Sequence, residues 1–366
     1  MVRDPRPAGG SLSAVPPLRP HVVVAGLSAT GLAVARALGR RGYSVHAVEA
    51  LSWEVGLRSR YVGSASKDFA SLTVGSPPHP ADRAVLFPCG DPALVAVEAH
   101  RDALAPFCFL PSDPWVLDKR RLIRAAAAAG IRTPRTVGID LTMSNAQGPL
   151  VVKPAMGAAT KSRPFPEKAR LVTSIPAEDP ELVVQELIPG PVDAILVWAG
   201  HVGSDGRIGP TVVGRKRRER PSPFGSASWL ESIASDVVEA ESRALIGALG
   251  LTGTLAIEWK EWAGIRWLIE VNPRPVLWSA VADEVLVDAY AERAGKARPP
   301  ARAVPAGRTW RYAARDPLAP SAQVDALWAI DDPLPGLYGP AYTLRLFSAR
   351  LRSSRFDHSN GGRKPA

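Results

Sequence analysis

An uninterrupted run of valine near the start of the chain restricts its fold most strongly. Residues 21–26 read His-Val-Val-Val-Ala-Gly, with no polar residue alternating along the run. Such a run is typical of a parallel strand that is buried on both faces. A helix at 30–41 and a second apolar segment at 43–48 are predicted to follow it. The order strand–helix–strand predicts an α/β unit with a parallel sheet at the N-terminus.

The pattern of predicted elements changes in the middle of the chain. A helix from about Trp115 to Ala129 is predicted after the α/β unit, and it ends at Gly130. From Leu150 onward the residues favour strands, with one helix near 235–249. The first unit is therefore of the α/β class, and the later part of the chain is of the α+β class.

Charge and cysteine content exclude several classes of protein. The net charge of +10 is concentrated in residues 1–20 (+2), Arg215–Arg220 (+4) and 348–366 (+4), so the rest of the chain is neutral. Two cysteines are too few for a disulfide framework or a four-thiolate zinc site, and they fit a reducing cytoplasm. The sequence has no apolar run long enough to span a membrane and no apolar core of a signal peptide near its start.

Two facing strands near residue 264 predict a metal site. Glu258 and Glu270 are equidistant from Gly264, so a hairpin turning there places them opposite each other. Opposed carboxylates are destabilising unless a cation lies between them. Asn272 is on the same face of its strand as Glu270, because side chains alternate along a strand. This all-oxygen set suits Mg²⁺, and Arg274 follows it as a group that can bind a phosphate or carboxylate. An edge hairpin with two solvated glutamates is the alternative.

Two upstream segments favour binding of an anion and a purine. Lys153 ends the apolar strand Leu-Val-Val-Lys-Pro and precedes a loop of small residues, so a phosphate there would offset its desolvation. The strand that contains Gln185 stops abruptly at Pro189-Gly190, which frees backbone groups that can read the edge of a purine. An ordinary hairpin and a plain strand end are the alternatives for these two segments.

The order of these segments resembles the ATP-grasp superfamily over roughly residues 20–290. They are Asp118-Lys119, Val-Val-Lys-Pro, Gln-Glu-Leu-Ile-Pro-Gly, Ile-Glu-Trp-Lys and Ile-Glu-Val-Asn-Pro-Arg. Residues 214–221 with 225–228, and Asp-Pro-Leu-Pro at 332–335, are similar to the carboxylate–amine ligase branch, which includes D-aspartate-ligase-like enzymes. The resemblance implies a Rossmann-like N-terminal domain followed by a two-part ATP-grasp fold. The implied divisions are a disordered tail (1–20), the Rossmann-like domain (21–112), a linker helix and lid (113–190), a catalytic subdomain (191–298), a C-terminal extension (299–347) and a basic tail (348–366).

The resemblance also implies a set of residues that bind ATP. Lys119 and Lys153 would contact the α- and β-phosphates, and Lys161 would assist from the lid loop. Gln185 would accept a hydrogen bond from the adenine amine, while Asp193 matches the acid that binds ribose. The backbone that reads the purine ring would belong to Glu186, Leu187 and Ile188.

Metal and substrate contacts follow from the same resemblance. Two Mg²⁺ ions, replaceable by Mn²⁺, would be held by Glu258, Glu270 and Asn272. The transferred phosphate or acyl phosphate would be held by Arg274, and the substrate anion by Lys216 and Arg218. The implied activity is ATP-dependent ligation, in which a carboxylate is activated as an acyl phosphate and joined to an amine. The expected partners are small-molecule substrates and not a specific nucleic acid; a homodimer is compatible with the sequence.

Two other functions remain open from the sequence alone. Gly26-Leu-Ser-Ala-Thr-Gly31 follows a strand, and Glu49 ends the next one, as in an NAD(P)-binding oxidoreductase, although Ser28 replaces the middle glycine. The basic run Arg215–Arg220 and the basic tails would also suit a non-catalytic protein that binds ATP, another anion or nucleic acid.

Overall fold

A computed structural model of the chain describes residues 21–49, 52–140, 143, 147–156, 169–345 and 348. The predicted tails, apart from Ser348, lie outside these residues. Within them the chain forms three sheets, of five, three and seven strands. No helix in these ranges is long and apolar enough to cross a membrane.

The N-terminal unit is a parallel sheet in the order β3-β2-β1-β4-β5. Its central strand is the valine run, and Val22, Val23 and Val24 are fully buried, which confirms the predicted strand–helix–strand start. Cys89 and Cys108 are buried free thiols. The elements are β1 (Val22–Ala25), α1 (Ala29–Gly39), β2 (Val45–Val48), β3 (Ser64–Ala65), β4 (Ala84–Pro88), α2 (Asp91–Ala99), α3 (Arg101–Leu104) and β5 (Cys108–Phe109).

A helix leads from this unit to a small antiparallel sheet. The helix, α4 (Lys119–Ala128), begins later than predicted because the side chain of Asp118 accepts hydrogen bonds from the N–H groups of Arg120 and Arg121. Residues 115–117 before it form a 3-10 turn. The sheet has the order β7-β6-β8. Its strands are β6 (Gln147–Pro154), β7 (Arg170–Ser174) and β8 (Leu182–Glu186).

The largest sheet has the order β13-β12-β9-β10-β11-β14-β15, and two helices accompany it. Helix α6 packs Leu286, Ala289 and Tyr290 into the core of the N-terminal unit, so the two parts share a hydrophobic interface. The elements are β9 (Ile195–Val202), β10 (Ile208–Arg220), β11 (Ser226–Ser232), α5 (Asp236–Leu249), β12 (Gly253–Trp262), β13 (Ile265–Asn272), α6 (Asp283–Arg293), β14 (Thr309–Arg311) and β15 (Val324–Asp325).

The C-terminal residues are more ordered than the Pro- and Ala-rich sequence suggests. Strands β14 and β15 extend the large sheet, and residues 334–345 are helical. Asp332, only 1% exposed, forms an ion pair with Arg36 of α1, with 2.9 Å between Nε and Oδ2. It also accepts hydrogen bonds from the Ser59 hydroxyl and the Arg60 N–H. The C-terminal residues are therefore fastened to the first unit.

Candidate functional site

A cleft of about 980 Å³ lies where the three sheets meet. Its lining comes from β6 and β8 on one side and from β9, β10, β12 and β13 on the other. The N-terminal unit adds residues 28–30 and 89–91, which stand at the beginnings of α1 and α2. The volume is at the upper end of the range for small-ligand sites.

The hairpin β12–β13 has the predicted geometry. Its turn is Ala263-Gly264, and both residues have positive φ (49° and 75°), the combination of a two-residue type I′ turn. The turn pairs Trp262 with Ile265, a register that alone would place Glu258 opposite Ile269. A bulge with Ile269 as the extra residue shifts the register, so that Glu258 pairs with Glu270 as predicted. Both carboxylates line the cleft together with Asn272.

Two lysines from other elements face this pair of carboxylates. Lys119 at the start of α4 has its Nζ 3.6 Å from Glu270 Oε1. Lys153 at the end of β6 donates to the carbonyl of Ile269, at 3.3 Å. Burial and, to a smaller extent, the charge of Lys119 lower the pKa of Lys153 to about 8, whereas Glu270 and Glu258 oppose the shift. The site therefore combines two acids with two cations and can accept a polyanion.

The donor set fits a hard divalent cation that shares phosphate ligands. Glu258, Glu270 and Asn272 offer oxygen atoms, which Mg²⁺ prefers, but too few to complete an octahedron without phosphate or water. No cluster of three or more His, Cys, Asp or Glu side chains suited to a metal occurs among the described residues. The Asn272 Oδ1 accepts a hydrogen bond from Arg274 Nη2 at 3.1 Å, which fixes the orientation of the amide.

The end of β8 supplies the predicted purine contacts only in part. The Gln185 amide nitrogen donates to Thr136 Oγ1 at 2.9 Å, which is compatible with an acceptor role for its oxygen. The N–H groups of Glu186 and Leu187 already donate to the carbonyls of Arg135 and Pro149. The backbone groups of this segment that can still contact a purine are therefore the N–H of Ile188 and the carbonyl groups.

Strand β10 brings one of its two predicted anion contacts to the cleft. Lys216 lines the cleft, but Arg218 binds the buried Asp316, with 2.9 Å between Nε and Oδ2. The reason is a bulge: Lys216 pairs with Leu230 and Arg218 with Trp229, so Arg217 is the extra residue. Simple alternation would place 216 and 218 on one face, whereas the bulge brings Glu219 to the cleft instead. The prediction for Arg218 is not supported.

One further predicted residue is not part of the described cleft lining, and another lies outside the described residues. Asp193 lies in the 3-10 turn Val192–Ala194, but it is absent from the described cleft lining, and its Oδ2 is 3.7 Å from Arg217 Nη1. Lys161 lies outside the described residues.

Two cleft residues were missed by sequence reasoning. Asp91, in the first turn of α2, forms an ion pair with Arg274, with 2.5 Å between Oδ1 and Nε. Lys260 lies two residues beyond Glu258 and donates to the carbonyls of Gly190 and Pro191. The position of Asp91 in the sequence could have identified it. It follows the carboxyl end of a parallel strand, where ligands of α/β sheets commonly bind.

The glycine motif of the N-terminal unit has a structural explanation. A Cβ atom at Gly31 would lie 2.1 Å from the carbonyl oxygen of Gly26, so the turn into α1 requires glycine there. Ser28 stands at the N-cap of that helix. The fold thus accounts for the motif without a dinucleotide.

The chain is similar to known proteins in structure but not in sequence. No family model matches it, and no curated protein does. N5-carboxyaminoimidazole synthetase from Staphylococcus aureus, complexed with ADP, matches with a TM-score of 0.57 at 12% identity, over 80% of this chain and 82% of that one. Biotin carboxylase from Campylobacter jejuni, in a beta-gamma-ATP complex, matches with a TM-score of 0.54 at 13% identity, over 76% and 72%.

A third enzyme gives the same result. Phosphoribosylamine–glycine ligase from Thermotoga maritima matches with a TM-score of 0.52 at 16% identity, over 79% of this chain and 78% of that one. At such identities the likeness establishes the fold alone, and these proteins share the fold that the sequence motifs predict. The chain therefore has the ATP-grasp fold, with a Rossmann-like unit before it.

Proposed function

We propose that the chain is an ATP-dependent ligase that activates a carboxylate as an acyl phosphate and joins it to an amine. The observation that carries the proposal is the pairing of Glu258 with Glu270 in a cleft that Lys119 and Lys153 also line. A nucleotide triphosphate with divalent cations complements this arrangement of charges. The complexes of the structural neighbours with ADP and ATP support the choice of nucleotide.

The chain's own residues would act mainly by positioning and by charge. We assign the lid to the small sheet within residues 113–190 and the catalytic floor to residues 191–298. Lys119 and Lys153 would orient the phosphates, while Glu258, Glu270 and Asn272 would hold Mg²⁺, which offsets phosphate charge when bound. Arg274, oriented by Asp91, would hold the transferred phosphoryl group.

The proposed reaction has two steps. A carboxylate oxygen attacks the γ-phosphorus of ATP, and the bond between that phosphorus and the ADP oxygen breaks. The amine nitrogen then attacks the acyl carbon, phosphate leaves with the electron pair of the carbon–oxygen bond, and nitrogen loses a proton. The products are an amide, ADP and phosphate. No nucleophilic side chain is needed for either step.

The basic run on β10 gives little support to a nucleic-acid function. Arg217 pairs with Glu231, Lys216 with Glu219, and both Arg218 and Arg220 with Asp316. These three carboxylates pair with four of the five basic side chains of the run. Binding to phosphodiesters would require cations available to them.

A trapping screen tests the proposed function. Purified protein is incubated with ATP, Mg²⁺, hydroxylamine and pools of carboxylates, and phosphate and hydroxamate are measured together. We expect both to rise with one pool and neither to rise without carboxylate, because hydroxylamine intercepts an acyl phosphate. Stabilisation of the protein by NADH but not by ATP with Mg²⁺, together with no hydroxamate, would contradict the proposal.

The pH profile should report Lys153. Its lowered pKa, about 8, means that the free protein loses this positive charge as the pH rises above 8, whereas an ordinary lysine would keep it. We therefore expect kcat/KM for ATP to fall as the pH rises above about 8. The fall should approach about tenfold for each pH unit. Lys153→Arg, which stays charged, should flatten this limb. A wild-type profile that is flat to about pH 10, the ordinary lysine range, would contradict the expectation.

A further inference from the structure

We propose that the amino end of α1 binds an anionic group that the carboxylate substrate carries in addition to its reacting carboxylate. The proposal rests on the ligase function above and names a substrate class, a carboxylate with a second carboxylate or with a phosphate. It starts from Ser28, Ala29 and Thr30, which line the cleft and have no part in the proposed nucleotide and metal sites.

The first turn of α1 has hydrogen-bond donors that the protein does not use. An α-helix leaves its first N–H groups without an acceptor inside the helix. Those of Ala29, Thr30 and Gly31 also have no acceptor elsewhere among the described residues, and the Ser28 side chain at the N-cap makes no hydrogen bond to them. Ala29 and Thr30 are only 2% and 7% exposed, so a ligand that brings acceptor atoms would satisfy buried donors.

The Thr30 hydroxyl is a second, independent indication of a ligand. Thr30 lines the cleft, and its side chain has no hydrogen-bond partner within the described part of the chain. The hydroxyl is not one of the fully enclosed polar atoms that lack a partner, so it is accessible from the cleft. A hydroxyl can donate to an oxyanion. The turn therefore presents backbone and side-chain donors together.

The charge at this end of α1 favours an anion. The helix dipole places a partial positive charge there, which attracts oxyanions. The first turn of α1 contains no acidic residue, whereas that of α2 contains Asp91, whose carboxylate already pairs with Arg274. Glu54 accepts a hydrogen bond from the N–H of Leu27 at 2.8 Å, just before the helix, and is not part of the described cleft lining. The amino end of α1 is thus open to an anionic ligand.

The position of this turn assigns the anion to the substrate that is activated. Arg274 contacts Asn272 of the metal hairpin at 3.1 Å and Asp91 of α2 at 2.5 Å, so the proposed reaction centre borders the start of α2. The start of α1 lies beside it, because β1 and β4 are neighbouring parallel strands, about 4.8 Å apart, and each leads into one of these helices. A group bound there is close to the carboxylate that reacts, which fits a second anion on the same substrate.

Titration with inorganic phosphate, followed by amide NMR of the labelled full chain, tests the anion site without the ligase reaction. We expect the amide proton signals of Ala29 and Thr30 to shift downfield and to saturate, because an oxyanion accepts their hydrogen bonds. Sodium chloride at equal ionic strength should not produce this shift. Ser28→Asp places a carboxylate at the N-cap, so it should abolish the shift while keeping or raising the melting temperature. No saturable shift in the wild type would overturn the proposal.

The trapping reaction identifies the class of substrate. Pools of monocarboxylates, dicarboxylates and phosphorylated carboxylates are assayed separately for hydroxamate, and we expect product from one of the last two. With the active compound, Thr30→Val should raise KM for the carboxylate about tenfold, the loss of one hydrogen bond to a charged group, and leave KM for ATP unchanged. Thr30→Ser, which keeps the hydroxyl, is the matched control and should stay near the wild type.

The outcomes separate this proposal from the ligase function. Hydroxamate from monocarboxylates alone, or an unchanged KM for the carboxylate in Thr30→Val, would overturn the proposal and leave the ligase function in place. A raised KM for ATP in Thr30→Val would assign the turn to the triphosphate and overturn it too. No hydroxamate from any pool, together with the phosphate-dependent shift at Thr30, would refute the ligase function and retain the anion site.

Discussion

Replacing Glu270 with glutamine should reduce ATP turnover by about a hundredfold or more, the usual loss when a preorganised electrostatic contact to the reacting phosphates is removed. Glu270 faces Glu258 directly across the hairpin and lies 3.6 Å from Lys119. Glutamine keeps the size of the side chain but removes the charge that would hold a divalent cation. Phosphate release with the carboxylate found by screening is the measurement, and it should be made at saturating Mg²⁺.

The control for this substitution lies on the same hairpin. Glu261→Gln removes an exposed carboxylate that pairs with Arg266, and it should leave turnover within about twofold of the wild type. Both variants should keep the wild-type melting temperature within a few degrees. Turnover near wild type in Glu270→Gln would remove the assignment of the hairpin as a metal site.

The largest effect on stability is expected at Asp332. Its carboxylate pairs with Arg36, which is also buried, and it accepts bonds from Ser59 and Arg60. Asp332→Ala would leave the guanidinium buried without its counter-ion, so we expect unfolding free energy to fall by about 3–5 kcal/mol. Urea denaturation followed by tryptophan fluorescence measures the change.

A neighbouring aspartate provides the comparison. Asp331 pairs with Arg40, but both side chains are more than a third exposed, so Asp331→Ala should cost about 1 kcal/mol or less. An equal loss of unfolding free energy in the two variants would show that burial does not determine how strongly these aspartates fasten the C-terminal residues to α1. A loss at Asp332 of less than about 1 kcal/mol would contradict the structural role.

Local sequence rules predicted the hairpin and the valine strand well. Counting from Gly264 gave the correct pair of Glu258 with Glu270, although the two-residue turn alone would pair Glu258 with Ile269 and a bulge at Ile269 supplies the shift. The strand Val22–Ala25 could be predicted without knowledge of its neighbouring strands, because its apolar composition reflects burial on both faces.

Other features depend on contacts between distant residues, and these the sequence did not reveal. Simple alternation did not indicate that Arg218 lies outside the described cleft lining, since a bulge precedes it and its partner, Asp316, is far along the chain. The ion pair between Asp91 and Arg274 joins two units, and no local pattern marks it. The ordered C-terminal residues are explained by their attachment to α1 rather than by their own composition.

The bulge at Arg217 has an evolutionary consequence. The extra residue Arg217 in β10 is matched by an extra residue, Ser228, in β11, and the cleft lining on this strand is Lys216 and Glu219. A deletion of Arg217 alone would leave Ser228 unmatched and shift the pairing from Arg218 onward. Substrate preference in such a strand can therefore change by a step in length, whereas substitutions would have to alter several positions together.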